Sequence, residues 1–248
     1  MADDSNANSF VFADHLVLDE SPTRDFYKSV LQGLIHKNNN TLGVIQGYSS
    51  LILMDEPPAS VRENIDQMRK SAGQAGELAK VILTAAGCAR VNAEPISLND
   101  LLPHIEATAK EKCTAAGVAL QFHAASDLPQ ISADGTRLTE LLVELIKNAA
   151  EGAATVPGGE VAIDVLPPGE ASDASENRVD FFIRNSSPDL SPEQIHQFFE
   201  AFHGNKSNDH YGLGLTTAGV LAGQMGMRLG LRSTEGTTTA WLSLPVAG

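Results

Sequence analysis

Apolar residues in the first third of the chain recur at spacings of three and four. After Ser21-Pro22-Thr23 they fall at Tyr27, Leu31, Leu34, Ile45, Tyr48 and Ile52, with Asn38 and Thr41 filling the same row. Such a row is the seam of a long, coiled-coil-like helix. Ser and Thr cap its start, Pro tolerates the first turn, and Pro57-Pro58 stops it near Asp55. A second helix follows, with Ser60 as its expected cap and a stripe at Val61, Ile65, Met68, Ala72, Ala75, Ala79 and Ile82, ending around Gly87. Two long helices joined by a short Pro turn make an antiparallel hairpin. One hairpin leaves apolar stripes uncovered, and pairing two into a four-helix bundle buries them, so a homodimer is expected.

After Arg90 the pattern changes. Pro95 to Leu98 reads as a short strand leading into a helix capped by Ser97 or Asn99, and Val118 to His123 alternates as a strand. Ala133-Asp134 opens a helix through Leu138, Leu141, Leu142, Leu145 and Ile146. Val161–Val165 and Val179–Ile183 are strands with a polar loop between them. A helix from about Gly214 to Met225 and strands near 227–233 and 237–244 close the chain. The expected fold class is therefore α+β, a hairpin of helices followed by an α/β sandwich with a sheet on one side and helices on the other. Three segments follow: a flexible, polar stretch over 1–22, the hairpin over 23–90, and the sandwich over 91–248.

The formal net charge of -14 argues against a nucleic-acid partner, which needs clustered Lys and Arg. Cys88 and Cys113 have no metal-ligand spacing and make no disulfide framework. The polar N-terminus is not a secretory signal, and no apolar run approaches the roughly 20 residues of a membrane helix. A cytoplasmic location with no membrane partner is expected.

Two groups of residues suggest chemistry. In Leu34-Ile35-His36-Lys37-Asn38-Asn39-Asn40-Thr41-Leu42, His36 and Asn40 are four apart and share a helix face. Three consecutive Asn residues weaken a helix without a packing return, which suggests a face that positions water or phosphate oxygens. Neutral imidazole is a nucleophile with a pKa near working pH and so a suitable phosphoryl acceptor. Further on, Glu144 and Asn148 share a face of the helix through Leu145. They could hold a hydrated Mg²⁺ and triphosphate oxygens, or be no more than a solvated face. Tyr211-Gly212-Leu213-Gly214-Leu215-Thr216 puts two glycines just before a helix, where backbone amides can cradle phosphate.

The first segment, with the tail Ile45-Gln46-Gly47-Tyr48-Ser49-Ser50-Leu51, resembles the H-box of bacterial sensor histidine kinases. The second set, with Phe198 to Lys206 before it and Gly236 to Pro245 after it, resembles their ATP-binding domain, of the superfamily shared with gyrase, the Hsp90 chaperones and MutL. The resemblance covers about residues 24–246. It implies that His36 is autophosphorylated and that Asn40 orients water for dephosphorylation of the partner. It places Glu144 and Asn148 on the N-box with Asn148 toward the metal, and Phe199 to Phe202 on the F-box. Lys206 then faces phosphate, Gly212, Leu213 and Gly214 form the second glycine box, and Gly236 and Thr237 the third. Residues 203–211 become a lid over the nucleotide.

The chain departs from the family at two places. Lys37 stands where an acidic base often follows the His, and a protonated Lys cannot take its proton. In the first glycine box Asn185 replaces the Asp that accepts from adenine, and Ser187 and Asp189 replace glycines. An amide carbonyl still accepts, without charge assistance, and Asp189 beside a triphosphate is expected to be repulsive.

The resemblance thus implies a kinase that takes phosphate from Mg-ATP onto His36 and passes it to an Asp on a response regulator receiver domain, with phosphatase activity as a further option. The signal could come from a separate sensor protein, or the chain could be a fragment of a longer one. The alternatives are a histidine phosphotransferase or phosphatase relay with a degenerate, non-ATP-binding domain, and an ATP-gated machine of the gyrase or chaperone type.

Overall fold

The computed structural model describes residues 10–18, 21–170, 177–203 and 211–248. The chain divides into two compact units, residues 19–89 and residues 1–18 with 90–248.

The first unit is a hairpin of α1 (Pro22–Met54) and α2 (Ala59–Ala85). Ser21 caps α1 by accepting from the Arg24 amide, with Pro22 in the first turn. Pro58 is the N-cap of α2, and no side chain caps that helix. Ser60 lies inside the helix, not at its cap; Pro58, with its fixed φ, already sets the entry. The row of α1 turned into the hairpin is Leu31, Ile35, Asn39, Leu42, Gln46, Ser49 and Leu53, all buried or half-buried, against Ile65, Ala72, Ala75, Ala79 and Ile82 of α2. Most of the row read from α1 points elsewhere. Tyr27 and Tyr48 are each 65% exposed, Asn38 and Thr41 are exposed, and Leu34, Ile45 and Ile52 are exposed too. A helix carrying two apolar stripes gives periodicity alone no way to say which one meets the neighbour.

The second unit is built on a six-stranded sheet in the order β1-β7-β8-β6-β5-β3. Its strands are β1 (Val11–Phe12), β3 (Ala119–Ala124), β5 (Glu160–Leu166), β6 (Arg178–Ser186), β7 (Arg228–Thr234) and β8 (Thr237–Pro245). Only β3 and β5 pair in parallel, joined by a crossover through α4 (Gly135–Ala153); the other pairs are antiparallel. A second, two-stranded sheet pairs β2 (Glu94–Ile96) with β4 (Ile131–Ala133). α3 (Leu98–Ala116), α4 and α6 (Gly214–Gln224) complete the helical layer, and α5 (Pro192–Phe198) is short.

The core lies between sheet and helices. Val161, Ile163, Val165, Phe181 and Ile183 meet Leu138, Leu141, Leu142, Leu145 and Ile146, all fully buried. Each such side chain contributes roughly 1.5–3 kcal/mol. Cys113 is buried with them, and burial raises its thiol pKa; Cys88 is half-buried, and burial raises its thiol pKa against the pull of Lys28 and Arg24.

Three features differ from the sequence expectations. Residues 10–18 are not loose: Val11 and Phe12 pair with Leu231 and Gly230 of β7, and residues 13–16 form a 3-10 turn. Polar composition concealed this, because two Phe rings and three glycines far along the chain do the seating. α5 and β4 escaped the periodicity, being only 7 and 3 residues long. The signal for α5 was a capping box, in which Ser191 and Gln194 bond each other's backbone amides.

Asp134 caps α4 by accepting from the amides of Thr136 and Arg137, and a second oxygen accepts from the Asn92 amide. Partial burial opposes its ionisation, but those amides and the Arg137 charge outweigh it and hold the carboxyl below its ordinary pKa. Its stabilisation is thus complete above the unfolded carboxylate pKa of about 4, and fades as pH falls through the lower folded value. Asp134→Ala is expected to cost about 1 kcal/mol at pH 7 in urea denaturation. Asp134→Asn keeps the cap and loses this acid dependence.

Candidate functional site

In the hairpin, His36 is exposed on α1, one residue past the buried Ile35. Asn40 is exposed on the same face, one turn on, and Lys37 beside them is exposed as well. The three asparagines do not share a face, since successive helical residues turn about 100°. Asn38 and Asn40 point outward, whereas Asn39 is half-buried in the α1–α2 seam. Its Oδ1 is buried without a hydrogen-bond partner.

In the second unit, Glu144, Asn148 and Gly152 succeed one another at four-residue steps along one face of α4, roughly 12 Å end to end. Each end of that row meets a different element. A Cβ added to Gly214 would stand 1.9 Å from Glu144 Oε1, so the carboxylate lies on the opening residue of α6. A Cβ added to Gly152 would stand 2.7 Å from Asn185 Nδ2, so the buried Asn185, near the end of β6, packs on the other end. Asn148 sits between them, half-buried.

The start of α6 suits an anion. Its N-cap, Leu213, offers no side-chain cap, and the first-turn amides with the positive end of a helix attract negative charge. Gly212 has φ of +64°, and a Cβ there would meet the Phe202 carbonyl carbon at 2.8 Å and the His203 oxygen at 2.9 Å. The Phe202 amide donates to the Gly212 carbonyl at 2.7 Å, and the buried Thr216 hydroxyl donates to the Phe199 carbonyl at 3.0 Å. Phe199 is fully buried. The Phe199–Phe202 turn and the glycine-rich start of α6 are thus clipped together on either side of residues 204–210. Lys206 and most of the expected lid lie outside the described residues.

At the other end of the row, Asn185, Ser187 and Thr237 gather where β6 pairs with β8, with Ser186 opposite Thr237. Asn185 Nδ2 donates to the Ser186 carbonyl at 2.9 Å, which leaves Oδ1 as the acceptor. Ser187 Oγ bonds Thr238 Oγ1 at 2.7 Å, and the Ser187 amide donates to Gly236. Asp189 Oδ1 accepts from the Gly236 amide at 2.7 Å. The Asp189 carboxylate thus pins the β7–β8 turn. Sequence reading could not pair residues 47 apart.

The fold thus brings together Glu144 with Gly214, Asn185 with Gly152, and Ser187 with the Gly236–Thr238 turn. Sequence reasoning missed Gly152 and Thr216; the four-residue spacing of Gly152 from Asn148 was the available signal. Among the described residues no three His, Cys, Asp or Glu side chains cluster as a metal site, and no helix is long and apolar enough to cross a membrane.

Residues 133–248 match the family described as histidine kinase-, DNA gyrase B-, and HSP90-like ATPase, and form a domain of it. The chain is homologous to sensor histidine kinases. It is 26% identical over 214 residues to the sensor histidine kinase ZraS of Salmonella typhimurium, covering 85% of this chain and 44% of that protein. It is 26% identical over 160 residues to the sensory histidine kinase/phosphatase NtrB of Rhizobium meliloti, covering 62% of this chain and 41% of that protein. The chain therefore spans less than half the length of these relatives. Its fold is similar to that of part of full-length ShkA, solved in complex with AMPPNP (TM-score 0.72, 24% identity, 89% of this chain and 46% of that one). It also matches the histidine kinase ThkA in complex with the response regulator TrrA (TM-score 0.56, 19% identity, 90% and 64%).

Gly212→Ala is expected to destabilise the second unit by about 1–3 kcal/mol, through positive φ and a backbone collision together. The loss should appear in chemical denaturation with no nucleotide present.

Proposed function

We propose that this relative of sensor histidine kinases is a protein histidine kinase core that takes the γ-phosphoryl group of ATP onto His36 and passes it to an Asp of a response regulator receiver domain. The observation that carries the reading is the close fit of Glu144 on Gly214, which sets an uncapped, glycine-opened helix end beside the Glu144–Asn148 face of α4.

Nucleotide would lie along the row from Asn185 to Gly214. Asn185 Oδ1, left as the acceptor by the bond from its own amide to the Ser186 carbonyl, accepts from the adenine amino group, with Ser187 and Thr237 beside it. The amides of Gly212, Leu213 and Gly214 receive phosphate, and Lys206 adds a positive charge. The Glu144 carboxylate already stands at the helix end, so an anion bound there meets a like charge. A divalent cation between them relieves that repulsion, and oxygens of Glu144 and Asn148 are the ligands Mg²⁺ prefers. Mg²⁺ supplies charge neutralisation of the phosphates.

In the transfer, a neutral His36 ring nitrogen forms a bond to the γ-phosphorus as its bond to the β–γ bridging oxygen breaks, and ADP leaves. Lys37 is no base while protonated, so the ring proton leaves to another acceptor. His36 is fully open to a partner from the exposed face of α1. Asn40, one turn on, is set to orient water for hydrolysis of the phosphorylated partner. The second, exposed stripe of α1, with Tyr27, Leu34, Ile45, Tyr48 and Ile52, supports pairing of two hairpins as a homodimeric four-helix bundle. A cytoplasmic location completes the proposal.

One set of observations favours a second reading, a phosphotransferase or phosphatase relay that does not bind ATP. Ser187 and Asp189, at positions of glycine in the family, are committed to structural bonds with Thr238 and Gly236, and Lys37 replaces the usual acid.

Incubation of the whole chain with γ-labelled ATP and Mg²⁺ is expected to label the wild type and leave His36→Ala unlabelled. Label that survives in His36→Ala rejects His36 as the acceptor. Calorimetric titration with a non-hydrolysable ATP analogue is expected to give micromolar binding; silence at millimolar nucleotide selects the relay. Restoring charge with Asn185→Asp should tighten the analogue by up to about tenfold, the effect of one charge-assisted hydrogen bond.

A further inference from the structure

Residues 10–18 lie on the ATPase-family domain in a seat that admits them closely. Three glycines form it. A Cβ on Gly219 would come within 2.6 Å of Leu16 Cδ1 and 3.0 Å of Ala13 Cβ. One on Gly223 would meet Val17 Cγ2 at 3.2 Å, and one on Gly230 would meet the Phe12 ring at 3.0 Å. Aromatic and charged contacts complete the seat. Phe10 and Phe12 cover Trp241, with ring centroids 5.2 and 5.8 Å away. Arg232 lies over the Phe10 ring and Arg228 over the Phe12 ring, and Arg228 also pairs with Asp14 at 3.5 Å.

This strap touches the same two elements that flank residues 204–210. Ala13, Leu16 and Val17 rest on α6, the helix whose first turn includes Gly214 and Thr216. The His15 ring lies 4.9 Å from that of His196 of α5, tilted by 39°, and meets Phe199 edge-on at 6.1 Å. Phe199 in turn holds Thr216 through its carbonyl. The strap therefore braces the Phe199–α6 junction from two sides.

Its hold on the sheet is slight. Two residues pair with β7, too few for a strand to persist on backbone bonds alone, so the side chains in the glycine seat carry the docking. Such a segment can leave without unfolding the sheet. In sequence, residues 19–21 link it to α1.

We propose that the strap is an intramolecular ligand coupled to the nucleotide site: docked, it holds the start of α6 and Phe199 in their binding arrangement, and released, it lets that arrangement go. The proposal rests on the nucleotide reading above. Coupling is reciprocal, so nucleotide must also favour the docked strap.

Trp241, the single tryptophan, reports docking directly. The full chain carrying Ala13→Asp with Leu16→Asp places charge in the strap and leaves the domain's own residues intact. Acrylamide quenching of Trp241 should rise in this variant, and affinity for a non-hydrolysable ATP analogue should fall three- to tenfold. Gly219→Leu, made in the seat, should reproduce both changes. Millimolar peptide of residues 10–18 should restore both in the strap variant. Saturating nucleotide should reduce quenching in the wild type. Increased quenching with unchanged nucleotide affinity overturns the coupling, and unchanged quenching in both variants overturns the docking. A wild type that binds no nucleotide overturns the nucleotide reading and the coupling with it, while the quenching arm still tells whether the strap is seated.

Discussion

The approach of two side chains to two glycine backbones governs the second unit. Glu144 can lie on α6 only because residue 214 has no Cβ, and Asn185 can pack on α4 only because residue 152 has none. With these contacts made, α4 presents a polar row between a helix end and a strand end. That row sits on a helix whose opposite side is the most buried surface in the domain, with Leu138, Leu141, Leu142, Leu145 and Ile146 against the sheet. A polar site held by such a core is positioned without being flexible, which is what recognition of a charged ligand requires.

The hairpin solves a different problem. Its inner seam uses small and half-polar residues, among them Asn39, Gln46, Ser49, Ala72 and Ala79, so the seam is thin. Much of the large apolar surface of α1 is left outside. His36 stands on that exposed helix next to the inward Ile35, and so has a fixed backbone and a free ring.

Charged groups inside the ATPase-family domain follow the same economy. Asp180 is fully buried on the outer side of β6, where one oxygen accepts from Trp241 at 2.8 Å. Arg178, nearby, donates to Ser243 and to the Gly226 carbonyl, and burial lowers its pKa against the opposing charge of Asp180. These groups join β6, β7 and β8 beneath the strap, so the sheet face that Phe10 and Phe12 cover is itself cross-linked.

Local chemistry alone determined much of this protein. The Ser21-Pro22 start of α1, the Pro57-Pro58 break, the Ala133-Asp134 opening of α4 and the alternation in β3 are short-range effects, and each stands in the fold. The glycine pair at 212 and 214 and the face shared by Glu144 and Asn148 were equally legible, because a motif's spacing is a local property. Only the tertiary structure decided which stripe of α1 faces α2, that Asn39 turns inward, that Asp189 secures a turn 47 residues away, and that residues 10–18 belong to the sheet. Each of these depends on partners distant in sequence. The glycines that admit the strap, at 219, 223 and 230, carry no side-chain signal to announce what will rest on them.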